Sequence, residues 1–246
     1  MGGACRLWLF VLAVLLGAAR AEAACEAESY DGNNYTVCRF DLRKDHLRLF
    51  SLDDKGEPYG AFQALSAALA GKGQSLAFGM NAGMYGDDLK PVGLYVEDGR
   101  TERKLNRRDG PGNFHMKPNG VFYIDGNKGG VMETEAFAAS VLHPQFASQS
   151  GPMLVVDGQI HPKFSADGTS LQRRNGVGAP DDHTLIFVIS ETYVNFHSFA
   201  SLFKDKLGCA NALYLDGSIS SLYAPELGRN DGFAPLGPMV ALVKDP

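Results

Sequence analysis

The chain has 246 residues with 23 Lys+Arg against 28 Asp+Glu, a formal net charge of −5. There is no basic stripe, which excludes nucleic acid and an anionic membrane surface as expected partners. Apolar residues make up 45% of the chain, enough for one large domain with its own core and short for two.

The N-terminus reads MGGACRLWLFVLAVLLGAARAEAA. Arg6 precedes an apolar run from Leu7 to Ala19, and small residues follow, the build of a secretory signal peptide over residues 1–24. The run falls short of the ~20 residues that span a bilayer as a helix, so no stable membrane insertion is expected. Cys25 sits where a lipoprotein would be acylated, but Glu22 stands where such leaders carry an aliphatic residue, so a soluble exported protein is the expectation. Residues 25–246 then form one periplasmic or secreted domain. In an oxidising compartment Cys25, Cys38 and Cys209 would make one pair and leave one thiol. Cys25 and Cys38 flank a short loop and are the favoured disulfide; three reduced thiols are the alternative. No C-x-x-C is present.

YTVCRFDL (35–42) and HLRLFSL (46–52) alternate apolar and polar residues and read as two strands joined by a tight turn at Arg43-Lys44-Asp45. AFQALSAALAGKG (61–73) reads as a helix stopped by glycine, and SLAFGM (75–80) as a buried strand. PVGLYVEDGR (91–100) enters an Asp-Gly turn, and GVFYIDGNKGGVMETEAF (120–137) reads as a hairpin of two strands. PMLVVDGQIHP (152–162) repeats the strand–turn pattern. TLIFVIS (184–190), a helix over 195–208 and NALYL (211–215) form a strand–helix–strand unit, which predicts a crossover between parallel strands. The fold class that follows is α+β: a single domain with a mixed, largely antiparallel sheet and this unit at its C-terminal end.

In such a unit both strands end on one edge of the sheet, the edge that ligands favour. One strand ends in Ser190-Glu191 and the other in Leu215-Asp216, so Glu191 and Asp216 are the candidate catalytic carboxylates, at separations where acid pairs act in glycoside cleavage. Asp216 is followed by Gly217, Ser218, Ile219, Ser220 and Ser221, more hydroxyls than a turn requires. FGMNAGMYGDD (78–88) opens a buried strand into a binding loop carrying Asn81 and Tyr85. FHMKPNGVFYID (114–125) places Asn119 before a strand. LQRRNGVG (171–178) offers Arg174, whose planar fork of donors suits phosphate oxygens, beside glycines that let backbone approach a ligand. Ser150 in Gln-Ser-Gly-Pro is no nucleophile elbow, and a serine esterase is a minor reading. The six histidines show no metal-ligand spacing, so no metal or other cofactor is expected; a Ca²⁺ near Asp87–Asp88 or Asp181–Asp182 is required by nothing in the sequence.

The order of these motifs resembles the phosphodiester glycosidase family. Asn81-Ala82-Gly83-Met84-Tyr85 is similar to its NGG-F-[FY] loop, Arg174-Asn-Gly-Val-Gly178 to its R-x-A-[IV]-G segment, and Leu215-Asp216-Gly217-Ser218-Ile219-Ser220-Ser221 to its N-L-D-G-G-G-S-S segment. Ala82, Tyr214, Ser218 and Ile219 depart from the pattern, in the expected pocket wall. The resemblance implies an exported hydrolase of a sugar 1-phosphodiester, with Asp216 as nucleophile, base or electrostatic stabiliser and Glu191 as its partner. Arg174 would bind the phosphate. Asn81, Tyr85, Asn119, Ser218, Ser220 and Ser221 would hold sugar hydroxyls. A glycan- or wall-polymer-binding envelope protein without catalysis is the alternative.

Overall fold

The computed structural model describes residues 24–216 and 219–245. The expected leader lies outside the described residues but for Ala24, and so do Gly217 and Ser218.

β1 (Cys25–Tyr30) and β2 (Asn33–Asp41) form a hairpin over Asp31-Gly32, both at positive φ (47° and 73°). The tight turn that matches strand twist needs positive φ at both central residues, which Gly adopts freely and Asp tolerates. Cys25 lies opposite Cys38 in this ladder, and the two are joined by a disulfide. β3 (Leu47–Phe50) precedes α1 (Phe62–Ala70), which buries Phe62, Leu65 and Leu69, a helical i, i+3, i+7 stripe. β4 (Ser75–Asn81) follows. β5 (Tyr95–Glu97) and β6 (Arg100–Arg103) pair across Asp98-Gly99, a second turn with both φ positive. β7 (Gly120–Asp125) and β8 (Lys128–Glu133) are the expected hairpin. Its second strand ends earlier than 137, because the Glu133 carboxylate caps the N–H groups of Glu135 and Ala136 and starts α2 (Thr134–Ala139). β9 (Phe146–Ser150), β10 (Met153–Val156) and β11 (Gln159–Ile160) follow, the last two joined at Asp157-Gly158. β12 (Asn175–Asp181) and β13 (Thr184–Ser190) precede α3 (Phe196–Ser201), which is capped by the Asn195 side chain and continues as a wider turn over 202–206. β14 (Asn211–Asp216), β15 (Leu222–Ala224), β16 (Arg229–Asn230) and β17 (Met239–Lys244) complete the order.

The strands form three sheets, in the orders β1-β2-β13-β12-β14-β10-β11, β16-β15-β4-β17-β3 and β6-β5-β9-β7-β8. Every ladder among them is antiparallel. The expected mixed sheet is therefore corrected. β13 and β14 run in the same direction, but β12 lies between them and pairs antiparallel with both.

One core unites the inner faces of all three sheets, with Leu185, Phe187, Leu213 and Leu215 from the first, Phe78, Met80 and Val240 from the second, and Phe122 and Ile124 from the third. Ile186, Val188, Ala212 and Tyr214 point the other way and pack under α3 with Phe199 and Phe203. That double burial is why TLIFVIS is apolar without alternation. α1 covers the outer face of the second sheet in the same manner. Among the described residues no helix is long and apolar enough to cross a membrane.

Candidate functional site at the Asp216 edge

The site forms where the first and second sheets meet. Along β14, Tyr214 and Asp216 share the face opposite Leu213 and Leu215, so strand alternation sends the Asp216 carboxylate to the side where Tyr214 lies. Along β12, Arg174 shares the α3 side with Gly176 and Gly178, while Asn175 and Val177 face inward. A Cβ on Gly178 would lie 2.7 Å from both the Cys209 sulfur and the Phe203 ring, and one on Gly176 3.2 Å from the Phe199 ring. These glycines admit α3 to the sheet; they are not the ligand approach that the sequence suggested.

Asn81 and Asn175 meet at the end of β4 and are fully buried. Asn175 Nδ2 donates to the Asn81 carbonyl at 2.9 Å and to Asn81 Oδ1 at 3.1 Å. Asn175 Oδ1 accepts from the Asp216 backbone N–H at 2.9 Å, and Asn81 Oδ1 from the Ser221 N–H at 3.0 Å. Ser220 Oγ donates to the Asp216 carbonyl at 2.9 Å. The paired amides therefore pin both ends of the segment that carries Asp216, a fully paired buried network of the kind that fixes a position. Asn81, Asp216, Ser220 and Ser221 are thereby brought together, although Asn81 supports the segment rather than opening onto the surface.

Asp216 faces a cleft of about 480 Å³ with Met84, Tyr85, Asp87, Asn113 and Tyr214. Tyr85 lies flat on Gly237, where a Cβ would come within 2.4 Å of the ring, and its hydroxyl donates to the Pro235 carbonyl at 2.9 Å. Burial, and then the charge of Asp216, raise the Tyr85 phenol well above its usual range. Burial does the same for Tyr214. Both phenols stay neutral beside the carboxylate. A cleft of about 360 Å³ elsewhere is lined by Glu97, Arg100 and Arg103 and holds none of the motif residues.

Arg174 is 1% exposed. Its Nε donates to the Val194 carbonyl at 2.9 Å, Nη2 to the Ser170 carbonyl at 2.8 Å and Nη1 to the Tyr214 hydroxyl at 3.3 Å. The guanidinium carbon stands 3.7 Å over the Phe196 ring. No carboxylate pairs with it among the described residues. Burial lowers its pKa, yet an arginine remains charged, so a cation sits behind the Tyr214 wall of the cleft.

The structure does not bring Glu191 into the same cleft. Its carboxylate is engaged by Arg229, which also binds Asp231, and accepts from Thr36 Oγ1 at 2.7 Å. Asn119 is buried: its amide donates to the Phe114 carbonyl and accepts from Thr134 Oγ1, each at 2.9 Å, so both ends are spent on internal structure. Ser150 is also buried and donates to the Leu215 carbonyl at 3.0 Å, with no histidine bonded to it. Sequence reasoning missed Asn175 and Asn113, and it considered Asp87 for a Ca²⁺ but not as an acid of the cleft. For Asn175 the available signal was its place between Arg174 and Gly176, which strand alternation turns inward. Among the described residues no three His, Cys, Asp or Glu side chains converge as a metal site.

The sequence profile of the phosphodiester glycosidase family matches residues 74–235, a span that contains every residue of the cleft. The uncharacterized protein YigE of Escherichia coli is 39% identical over 189 residues, covering 77% of this chain and 72% of YigE. The catalytic domain of zebrafish N-acetylglucosamine-1-phosphodiester alpha-N-acetylglucosaminidase, auto-inhibited by its pro-peptide, superposes with a TM-score of 0.56 at 15% identity, covering 89% of this chain and 81% of that one. The protein BPSS2145 of Burkholderia pseudomallei superposes with a TM-score of 0.51 at 12% identity, covering 87% of this chain and 74% of that one. At these identities the two structures share the fold alone.

Proposed function

The chain belongs to the phosphodiester glycosidase family, and from that premise we propose that it is an exported hydrolase of sugar 1-phosphodiesters. The observation that carries the reading is Asp216, fixed by Asn175 and Ser220 at the mouth of a cleft backed by a buried arginine.

Cleavage breaks the bond between the anomeric carbon and the phosphate oxygen. Water supplies hydroxyl to the sugar and a proton to the medium, and the products are a reducing sugar and a phosphate monoester. Positive charge develops on the ring in the transition state, and a carboxylate held beside it stabilises that charge. Asp216 fills that role. A phosphate monoester departs as a stable anion, so the reaction does not need the strong general acid that an alcohol leaving group requires. That relaxes the demand for Glu191, which is engaged with Arg229. Asp87 is the other acid facing the cleft. Arg174 favours the phosphate electrostatically and orients Tyr214. Tyr85 positions the sugar, as does Ser218 on the sequence pattern alone, while Ser220 and Ser221 do not line this cleft and hold the segment that carries Asp216. Export is supported by the leader pattern and by the Cys25–Cys38 disulfide.

The test is incubation of the protein with a panel of sugar 1-phosphodiesters and assay of released reducing sugar. Wild type should release sugar, and Asp216→Asn should lower kcat by about 10²- to 10³-fold, the loss expected for one electrostatic stabiliser. An Asp216→Asn protein with wild-type turnover would refute the assignment. Binding across the panel without release would favour the glycan-binding alternative.

A further inference from the structure

The loop 84–92 is closed by the pairing of Tyr85 with Pro91, and the Gly86 N–H donates to the Lys90 carbonyl at 3.0 Å. Asp87 and Leu89 face the Asp216 cleft, while Lys90 and Pro91 line the separate cavity of about 360 Å³. The β5–β6 hairpin forms one wall of that cavity. Tyr95 pairs with Arg103 and Glu97 with Arg100, so β6 spends one residue more than β5 over the same stretch. The bulge turns both arginines to the face of Tyr95 and Glu97. The cavity is lined by polar groups that the protein does not satisfy. Ser51 is 3% exposed, and its hydroxyl has no hydrogen-bond partner. A buried unpartnered hydroxyl is costly unless something completes it. The half-buried Glu97 carboxylate accepts from the Tyr95 hydroxyl at 2.7 Å, but its charged neighbours are Asp98 and Glu102 and no cation pairs with it among the described residues. Burial raises its pKa, as expected of a carboxylate taken out of water without a counter-charge. Lys90 and Arg103, both exposed, have no carboxylate partner among the described residues. The remaining charges are engaged: Arg100 meets Glu102 at 3.5 Å, and Asp53 Oδ1 accepts from the N–H groups of Lys55 and Glu57.

We infer that this cavity binds the zwitterion of a dipeptide, with its ammonium on Glu97 and its carboxylate on Arg103 and Lys90. The inference stands apart from the reading of the Asp216 cleft and shares none of its side chains. Glu97 and Tyr95, which faces Arg103 across the hairpin, are two positions apart on β5, about 7 Å along the strand. An extended dipeptide spans about 7 Å, whereas a single amino acid spans half of that and leaves one charge unmet. The cavity volume falls within the range of small-molecule sites. The ammonium supplies the charge-assisted bond that Glu97 lacks, and the Arg103 fork matches the geometry of a carboxylate. The central amide offers the Ser51 hydroxyl a partner.

The test is calorimetry with L-alanyl-L-alanine, with its N-acetylated and C-amidated forms, and with free alanine. The dipeptide should bind saturably below about 10 mM, and each cap should weaken it about tenfold, the effect of losing one charge-assisted bond. Free alanine should bind about tenfold more weakly than the dipeptide, since it meets one charge at a time. Glu97→Gln should erase the difference between the free and acetylated forms and keep the difference between the free and amidated forms. The Lys90→Gln/Arg103→Gln variant should do the converse, and its two side chains are exposed, so its fold is not at stake. No saturable binding of the dipeptide, equal affinity for the capped forms or for alanine, or cap effects that persist in both variants overturns the inference.

Discussion

One buried amide, Asn175, accepts from the Asp216 N–H, and a second, Asn81, accepts from the Ser221 N–H at the other end of the segment. Asn175→Ala removes the acceptor of the Asp216 N–H and both donors to Asn81. It should destabilise the fold by about 1–3 kcal/mol and also lower kcat, because the carboxylate loses its register. Thermal melts and turnover on the same samples would show both. Glu191→Gln should behave differently. Its carboxylate belongs to the Arg229–Asp231 cluster, so the variant should melt earlier while turnover stays within a few-fold of wild type. A large loss of kcat without a stability change would instead place Glu191 in the chemistry. His161 is buried, and burial lowers its pKa. The unfolded chain then binds more protons than the folded one as pH falls through the unfolded value of about 6.5, so stability should decline as pH falls through and below that value. His161→Asn, which takes up no proton there, should flatten that part of the melting-temperature profile. At this scale the sequence showed Asn81 and Asp216, polar residues that end apolar strands. It hid Asn175 and the Arg229 partner of Glu191, because those contacts cross 94 and 38 residues and no local pattern encodes them.

The β12 strand shows how an element can be written in residues that argue against it. Gly176, Gly178 and Pro180 lower its strand propensity, yet it lies in the middle of the seven-stranded sheet because α3 needs its bare surface. Gly178→Ala would drive a methyl against Cys209 and Phe203. It should cost about 1–3 kcal/mol, which shifts the melting temperature by roughly 3–10 °C in a chain of this size. An unchanged melt would mean that α3 yields there. β13 was legible for the opposite reason, since burial on both faces leaves an unbroken apolar run. The mixed sheet was misread because β12 enters between the two same-direction strands from earlier in the chain and pairs antiparallel with both. The β1–β2 hairpin carries the disulfide, which closes a sequence separation of 13. Chain-entropy reasoning gives about 3 kcal/mol for a loop of that order. Adding reductant should therefore lower the melting temperature, and Cys38→Ala should remove the sensitivity. Cys209 stays out of this exchange: it is buried, and burial pushes its thiol up to about 12.

Among the described residues, three antiparallel sheets share one core, and the amide pair Asn81–Asn175 joins two of them at the edge where they meet. That seam places two acids, two neutral phenols and a buried cation around one cleft. The arrangement predicts attack at carbon rather than at phosphorus, since the carboxylate has nothing to offer a phosphoryl centre that already carries negative charge. Hydrolysis of a sugar 1-phosphodiester in ¹⁸O-labelled water, followed by mass analysis of both products, tests this most directly. The label should appear at the anomeric oxygen of the released sugar and be absent from the phosphate monoester. Label in the phosphate would make the protein a phosphodiesterase of a different mechanism and would contradict the role given to Asp216.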